Sequence, residues 1–331
     1  MLKLGVLKPE QFFPAPPKSW LDYVYYRLSR SRVSLGLLEN AAAATSSALF
    51  ERLMPHVQLA NGVFRTTFRQ RFRNLDPLVN RVLAKHFSSS AELAVEDWAA
   101  SACLTSAEWA GSLHAIFPRM RFTASDLALF LIAVKDSRSN EIVVVEPDGQ
   151  PLQYIHSPFV IRMAPPEPWS LAVNRLVYQR AASCWGKVRG FWPLPDQWLD
   201  AKQWDKPCER DGYRFSKLPL IHPEALALAQ QQPWFTIRRH SVFEPAKSPV
   251  HVIRSMNILN KNYFPDSQLR EGIRSALGSL HEGGIWIVGR TRQEDPPVHD
   301  VSLFRKDAPG RAELVERIGG GSEIEPLVTG L

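Results

Sequence analysis

The sequence predicts a doubly wound α/β domain with a mostly parallel sheet. Three observations predict it. Residues 250–289 run strand, helix, Gly-Gly, strand. A second strand pattern, Arg121 to Asp126, follows a helical pattern and ends in an acid. Helical stretches recur between the candidate strands, which favours βαβ units over hairpins.

Composition sets the outer limits. The chain has 331 residues, 45% of them hydrophobic and 22% charged, which is a globular composition. That length suits one large domain with insertions, or two domains. The longest apolar candidate, Leu127 to Val134, falls far short of the roughly 18 residues that cross a bilayer. The first residues lack a secretory pattern, and three cysteines, Cys103, Cys184 and Cys208, show no CxxC spacing. A reduced, cytoplasmic location is expected and a zinc cage is not. The net charge of +7 reads as a solvated surface.

In chain order, residues 1–18 carry Pro9, Pro14, Pro16 and Pro17 and read as an extended arm. Trp20 to His86 is mainly helical and reads as a cap, so that residues 1–90 precede an α/β domain of residues 91–331. Phe64, Phe68 and Phe72 recur every fourth residue beside Arg65, Arg69, Arg71 and Arg73. That spacing predicts a packed amphipathic helix rather than a nucleic-acid arm.

Leu93 to Trp98 predicts the first strand. Thr105 and Glu108 then form a capping box for a helix carrying Trp109, Leu113, Ile116 and Phe117, stopped by Pro118. Propensity alone also allows one Ala-rich helix from Ala91 to Phe117, and the capping box is the reason to break it. Glu141 to Val145 and Pro151 to Ile155 flank Pro147-Asp148-Gly149-Gln150, a hairpin signal. Residues 156–218 look irregular and hold Trp169, Trp185, Trp192, Trp198 and Trp204. This long Trp/Pro-rich insertion is expected to cover the substrate side of the sheet's carboxyl edge. Its tryptophans suit packing, and their interleaving with Arg175, Arg180, Lys187 and Arg189 also suits a membrane surface.

A helix near Pro223 to Gln231 and a strand near Trp234 to His240 follow. The next strand is Val250 to Met256. Asp266 is placed to cap a helix with Leu269, Ile273, Leu277 and Leu280 on its buried face, and Gly283-Gly284 to end it. Ile285 to Val288 is a strand, Val301 to Arg305 another, and residues 310–318 a short helix.

Two stretches resemble the class I S-adenosylmethionine-dependent methyltransferases. Asp97-Trp98-Ala99-Ala100-Ser101-Ala102-Cys103 looks like their acidic-glycine motif, where a strand ends in an acid and a Gly-x-x-x-Gly-type loop wraps the cofactor. Val252 to Leu259, through Gly283-Gly284 to Gly289, resembles their fourth strand, long helix, Gly-Gly turn and fifth strand. The resemblance covers roughly residues 91–126 and 219–306. It has a flavour of the chemotaxis glutamate methyltransferases in Asn257 and in Tyr263-Phe264, although Met256 stands where that family has Arg.

The resemblance implies a Rossmann-like methyltransferase sheet, S-adenosylmethionine as cofactor, and a small-molecule or protein acceptor. The cofactor-binding residues it implies are Asp97, Ala99, Ser101, Cys103, Asp126, Ser241 and Asn257. Ala99 and Cys103 occupy the expected glycine positions. Their Cβ atoms and the strain of φ > 0 argue for weakened or lost cofactor binding. His240-Ser241 stands where the third strand would end in an acid. Local alternatives compete at each site: a turn-solvating Asp97, a helix-capping Asp126, a turn-forming Asn257 and an inert Cys103.

The sequence names no general base. Carboxylate or amine acceptors need none, because methyl transfer chiefly requires holding donor and acceptor together. Two function classes stay open: an S-adenosylmethionine-dependent methyltransferase, or a catalytically inactive descendant serving as a binding or scaffold subunit. An NAD-dependent oxidoreductase ranks last, for want of GxGxxG after a strand.

Overall fold

The computed structural model describes residues 34–39, 47–60, 65, 67–156, 159–163, 172–195, 207–292, 294 and 296–330. The N-terminal arm, Trp20, Phe64, Trp169, Trp198 and Trp204 lie outside them. In chain order the helices are α1 (Ser47–Leu53), α2 (Asp76–His86), α3 (Leu104–His114), α4 (Ala172–Val188), α5 (Pro223–Gln231), α6 (Asp266–Ser279) and α7 (Glu325–Thr329). The strands are β1 (Ala94–Trp98), β2 (Arg121–Asp126), β3 (Phe130–Asp136), β4 (Ile142–Val145), β5 (Pro151–His156), β6 (Phe159–Arg162), β7 (Cys208–Arg210), β8 (Tyr213–Pro219), β9 (Phe235–Arg239), β10 (Val250–Met256), β11 (Leu280–Arg292), β12 (Val298–Ala308) and β13 (Arg311–Ile318). The chain divides into two units, Met1–Thr66 with Ala128–Pro223, and Thr67–Leu127 with Glu224–Leu331.

The second unit carries a seven-stranded sheet in the order β13-β12-β11-β10-β1-β2-β9. The pairs β1–β2, β1–β10, β2–β9 and β10–β11 are parallel, whereas β12 and β13 run antiparallel to their neighbours. Side-chain alternation in β1 explains how both faces are filled. Trp98 enters an apolar cluster with Ile253, Trp286 and Phe304, and α6 closes that cluster with Leu269, Ile273 and Leu277. Asp97 faces the other way, where Ser106 of α3 donates to it at 2.6 Å. On that face Trp109 meets Phe122 edge-on at 5.4 Å, and Phe122 stacks on Phe235 at 5.5 Å. Helices on both faces of a mostly parallel sheet make the fold doubly wound.

The break between β1 and α3 lies where the sequence places it, but the capping box does not make it. The helix begins after Cys103, with no side-chain cap, and Thr105 and Glu108 sit inside it. Both Glu108 oxygens accept the Gln70 N–H, at 3.0 Å each. Asp266 likewise caps nothing: Pro265 is the N-cap of α6. Gly283-Gly284 does not end that helix, which stops at Ser279, but lies in the irregular start of β11. A Cβ on Gly284 would come within 2.9 Å of the His281 carbonyl oxygen.

Three further expectations are corrected. Residues 311–318 form β13 rather than a helix, because pairing with the long edge of β12 outweighs local propensity. Phe68 lies in irregular chain and Phe72 on a turn, not on a helical face, with Phe68 43% exposed and Phe72 buried. Within residues 156–218, the described part is not irregular but holds β6, the 17-residue α4, β7 and most of β8.

The first unit carries a six-stranded sheet ordered β6-β5-β4-β3-β8-β7, with every neighbouring pair antiparallel. The expected hairpin is β4–β5. Gly149 at its turn has φ +90°, and a Cβ there would meet the Trp192 ring at 2.8 Å. Glu141 is buried beside this hairpin and accepts bonds from Arg180 of α4 through both oxygens, at 2.8 and 2.9 Å. Tyr154 and Ser139 also donate to it. Burial opposes ionisation, but Arg180, Tyr154 and Ser139 outweigh it and hold Glu141 down at about 2.

Candidate functional site

In an open parallel sheet, ligands bind outside the carboxyl ends of the strands, where the strand order reverses. Here that point lies between β1 and β10: the chain winds outward through β1, β2 and β9, then returns to β10 and β11. The loop leaving β1 at this point is Ala99 to Cys103.

Every second residue of the loop is left-handed. The φ values are 54° at Ala99, 52° at Ser101 and 58° at Cys103, and none of the three is glycine. The sequence marks positions 99 and 103 as those needing glycine-like backbone, and the structure adds 101. Each costs about 1–2 kcal/mol against an ordinary conformation. The surroundings hold the loop in this shape. Ala100 N–H donates to the Ser125 carbonyl at 2.8 Å, and Ser101 N–H donates to Asp126 Oδ2 at 2.8 Å. Cys103 N–H closes a turn on the Ala100 carbonyl at 2.8 Å, and its side chain is buried.

Ala99, Ser101, Cys103 and Asp126 therefore belong to one hydrogen-bonded assembly at the ends of β1 and β2. His240 joins it, donating its N–H to the Asp126 carbonyl at 3.1 Å. Ser241 follows and turns the chain, accepting the Phe243 N–H on its Oγ at 3.3 Å. The His240 ring lies 4.7 Å from the Trp98 ring, and its Nε2 is buried with no hydrogen-bond partner among the described residues. Burial first, and then the Arg238 cation, lower the imidazole to about 4, so it is neutral at pH 7.

Asp97 and Asn257 are bonded elsewhere. The Asp97 carboxylate accepts from Arg254 through both oxygens and from Ser106, on the face that α3 covers. Asn257, itself left-handed at φ 62°, accepts the Thr291 N–H on Oδ1 at 2.6 Å and donates its own N–H to Gly289. Arg254 lies in β10 and is 1% exposed. It also donates from Nη1 to Asp76 of α2 at 3.0 Å, and its guanidinium sits 4.1 Å from the Trp109 ring centroid. Burial first pushes Asp76 up, to about 7; Arg254 opposes this, and Asp97 and Glu108 add to it.

Sequence reasoning missed the Arg254–Asp97–Asp76 network and the orphaned His240 nitrogen. A signal for the first existed: an arginine within the apolar run of β10 must be paired if that strand is central. Among the described residues no group of three or more His, Cys, Asp or Glu could hold a metal ion. No helix among them is long and apolar enough to cross a membrane.

The parallel strands β1, β2, β9, β10 and β11 stand in space as third, second, first, fourth and fifth, the order of a Rossmann-type sheet. This is a Rossmann-like sheet. No protein-family model matches the chain, and no curated protein does. Solved methyltransferase structures do resemble it. The citrinin polyketide synthase CMeT domain is 8% identical, with a TM-score of 0.35, over 83% of this chain and 46% of that one. An SAM-bound amino pentose methyltransferase from Micromonospora echinaspora is 8% identical, with a TM-score of 0.28, over 72% and 65%. An O-methyltransferase family protein from Burkholderia thailandensis is 10% identical, with a TM-score of 0.28, over 68% and 40%. The chain spans half or less of the length of several such structures. Overlaps this loose add nothing to the strand order, on which the fold assignment rests.

Proposed function

We propose that this methyltransferase-fold protein binds S-adenosylmethionine at the carboxyl edge of β1, β2 and β9 and transfers its methyl group to a small molecule or another acceptor. One observation carries the reading: the Ala99–Cys103 loop keeps the left-handed backbone of a glycine-type cofactor loop at positions 99 and 103 although neither is glycine, so the loss of glycine has not changed the loop's shape. Strain of this kind persists where the surroundings enforce it, and it concentrates at ligand sites. The residues fit a nucleoside-type ligand. We assign to such a ligand the Asp126 carboxylate, on its ribose side, and the neutral His240, whose buried Nε2 has no hydrogen-bond partner among the described residues.

When bound, the cofactor supplies an electrophilic methyl group on a sulfonium. The chain's own part is to position the partners and exclude water, and no base need be named for a carboxylate or amine acceptor. Asp97 is assigned a supporting role, since its carboxylate anchors the start of α3 through Ser106 and ties β1 to β10 through Arg254.

A second reading, a catalytically inactive binding or scaffold subunit, is favoured by the inward bonds of Asp97 and Asn257. Calorimetric titration with S-adenosylmethionine and S-adenosylhomocysteine separates the two. The first reading expects saturable binding that Asp126→Ala weakens at least about tenfold, or 1.4 kcal/mol. Absence of binding by both the wild type and an Ala99→Gly/Cys103→Gly variant would leave the scaffold reading.

A further inference from the structure

Between α2 and α3 the second unit has a groove of about 650 Å³, within the range of small-molecule sites. It lies against helices and is separate from the carboxyl-edge loop. Asp76 contributes a carboxylate whose Oδ1 accepts from Arg254, while Oδ2 takes no hydrogen bond among the described residues. Arg254 gives Asp76 one N–H, from Nη1, while its Nε and Nη2 hold the two oxygens of Asp97.

Arg73 and Arg81 line the same groove, one before α2 and one within it. Both are exposed, and neither guanidinium has an acceptor among the described residues. Arg73 stands three residues from Asp76, yet the two do not pair. One wall is meanwhile fixed: Asn80 accepts from Trp109 Nε1 at 2.8 Å and donates to Ser112 Oγ at 3.1 Å. The groove thus offers two carboxylates, Asp76 and Glu108, the latter holding the Gln70 N–H, and two guanidiniums that have no acceptor among the described residues. The complement is a molecule carrying both signs.

We propose that the groove between α2 and α3 binds a small zwitterion, its ammonium on Asp76 and its anionic group on Arg73 and Arg81. Arginine pairs are suited to phosphate or carboxylate because their planar donors bond two oxygens at once. The inference stands independently of the methyltransferase reading. It also gives the groove a physical link to the sheet, since Asp76 and Asp97 share one guanidinium.

Isothermal titration of the full chain at about pH 8, above the Asp76 value of about 7 so that its carboxylate is charged, with O-phosphoethanolamine and with β-alanine tests it and tells a phosphate zwitterion from a carboxylate one. Inorganic phosphate and ethanolamine, each alone, serve as the two halves. The expected result is saturable binding of at least one zwitterion, at least about tenfold tighter than either half. Arg73→Gln and Arg81→Gln should each weaken it about tenfold without changing the melting temperature, as both side chains are exposed. Asp76→Asn should erase the preference for zwitterion over phosphate. Three results overturn the proposal: no saturable binding of either zwitterion at millimolar concentration, phosphate alone binding as tightly, or affinity unchanged in both arginine variants.

Discussion

Arg254 of β10 donates from Nε and Nη2 to the two carboxylate oxygens of Asp97 in β1, the first at 2.9 Å, and both side chains are buried. This fork ties together the two strands between which the sheet reverses its order. Removing one member leaves the other charged, desolvated and unpaired. Arg254→Met is therefore expected to cost about 3–5 kcal/mol in urea unfolding. A double-mutant cycle with Asp97→Asn should give a coupling above about 1 kcal/mol. A smaller coupling would mean the pair is not a unit.

Asp76 should make the protein less stable as pH rises. Its folded-state value of about 7 lies above the ordinary carboxyl value, so the folded state holds the proton more tightly. The associated stability is fully present below about pH 4 and is lost as pH rises through about 7, on the order of 4 kcal/mol. Burial is the main cause; Arg254 in β10 opposes it, and Asp97 in β1 and Glu108 in α3 add to it. Other carboxylates, Glu141 among them, act in the opposite sense, so the difference between wild type and Asp76→Asn is the quantity to follow. That difference should change across pH 4–8; a flat difference contradicts the assignment.

The loop residues should respond unequally to glycine. Ser101→Gly removes left-handed strain at a part-exposed position and should stabilise the protein by about 1 kcal/mol. Cys103→Gly removes similar strain but also empties a fully buried site, a loss of about 1–2 kcal/mol, so no net gain is expected. Thermal unfolding of the two variants checks the ranking. Destabilisation by Ser101→Gly would show that its side chain holds the loop.

Glu141 should be the sensitive residue of the antiparallel unit. Glu141→Ala leaves the buried Tyr154 hydroxyl without its acceptor and releases α4 from the hairpin, at a cost of about 2–3 kcal/mol. In the wild type its carboxylate adds stability above about pH 4.5, and that stability is lost as pH falls toward 2. Chemical denaturation near pH 7 and pH 4 should show the variant's deficit shrinking in acid. A deficit independent of pH would place the effect in packing rather than in charge.

The sequence by itself determined the parallel sheet. The expected strands near 93–97, 121–126, 235–240, 250–256 and 285–290 all occur, because buried central strands are written as local apolar runs. Resemblance to an acidic-glycine motif marked positions 99 and 103 for glycine-like backbone, and both are left-handed. What it could not determine depends on partners distant in the chain. β13 reads as a helix until β12 lies beside it, and the strands of residues 128–219 find one another only as an antiparallel sheet. Thr105 and Glu108 spell a capping box, yet the loop places the helix start before them and gives Glu108 to Gln70. Asp97 reads as a ligand-binding acid until Arg254, 157 residues away, closes on it. Local spacing encodes period and propensity. Only the assembled sheet decides which charge meets which, because a buried carboxylate takes whatever donor the strand order brings beside it.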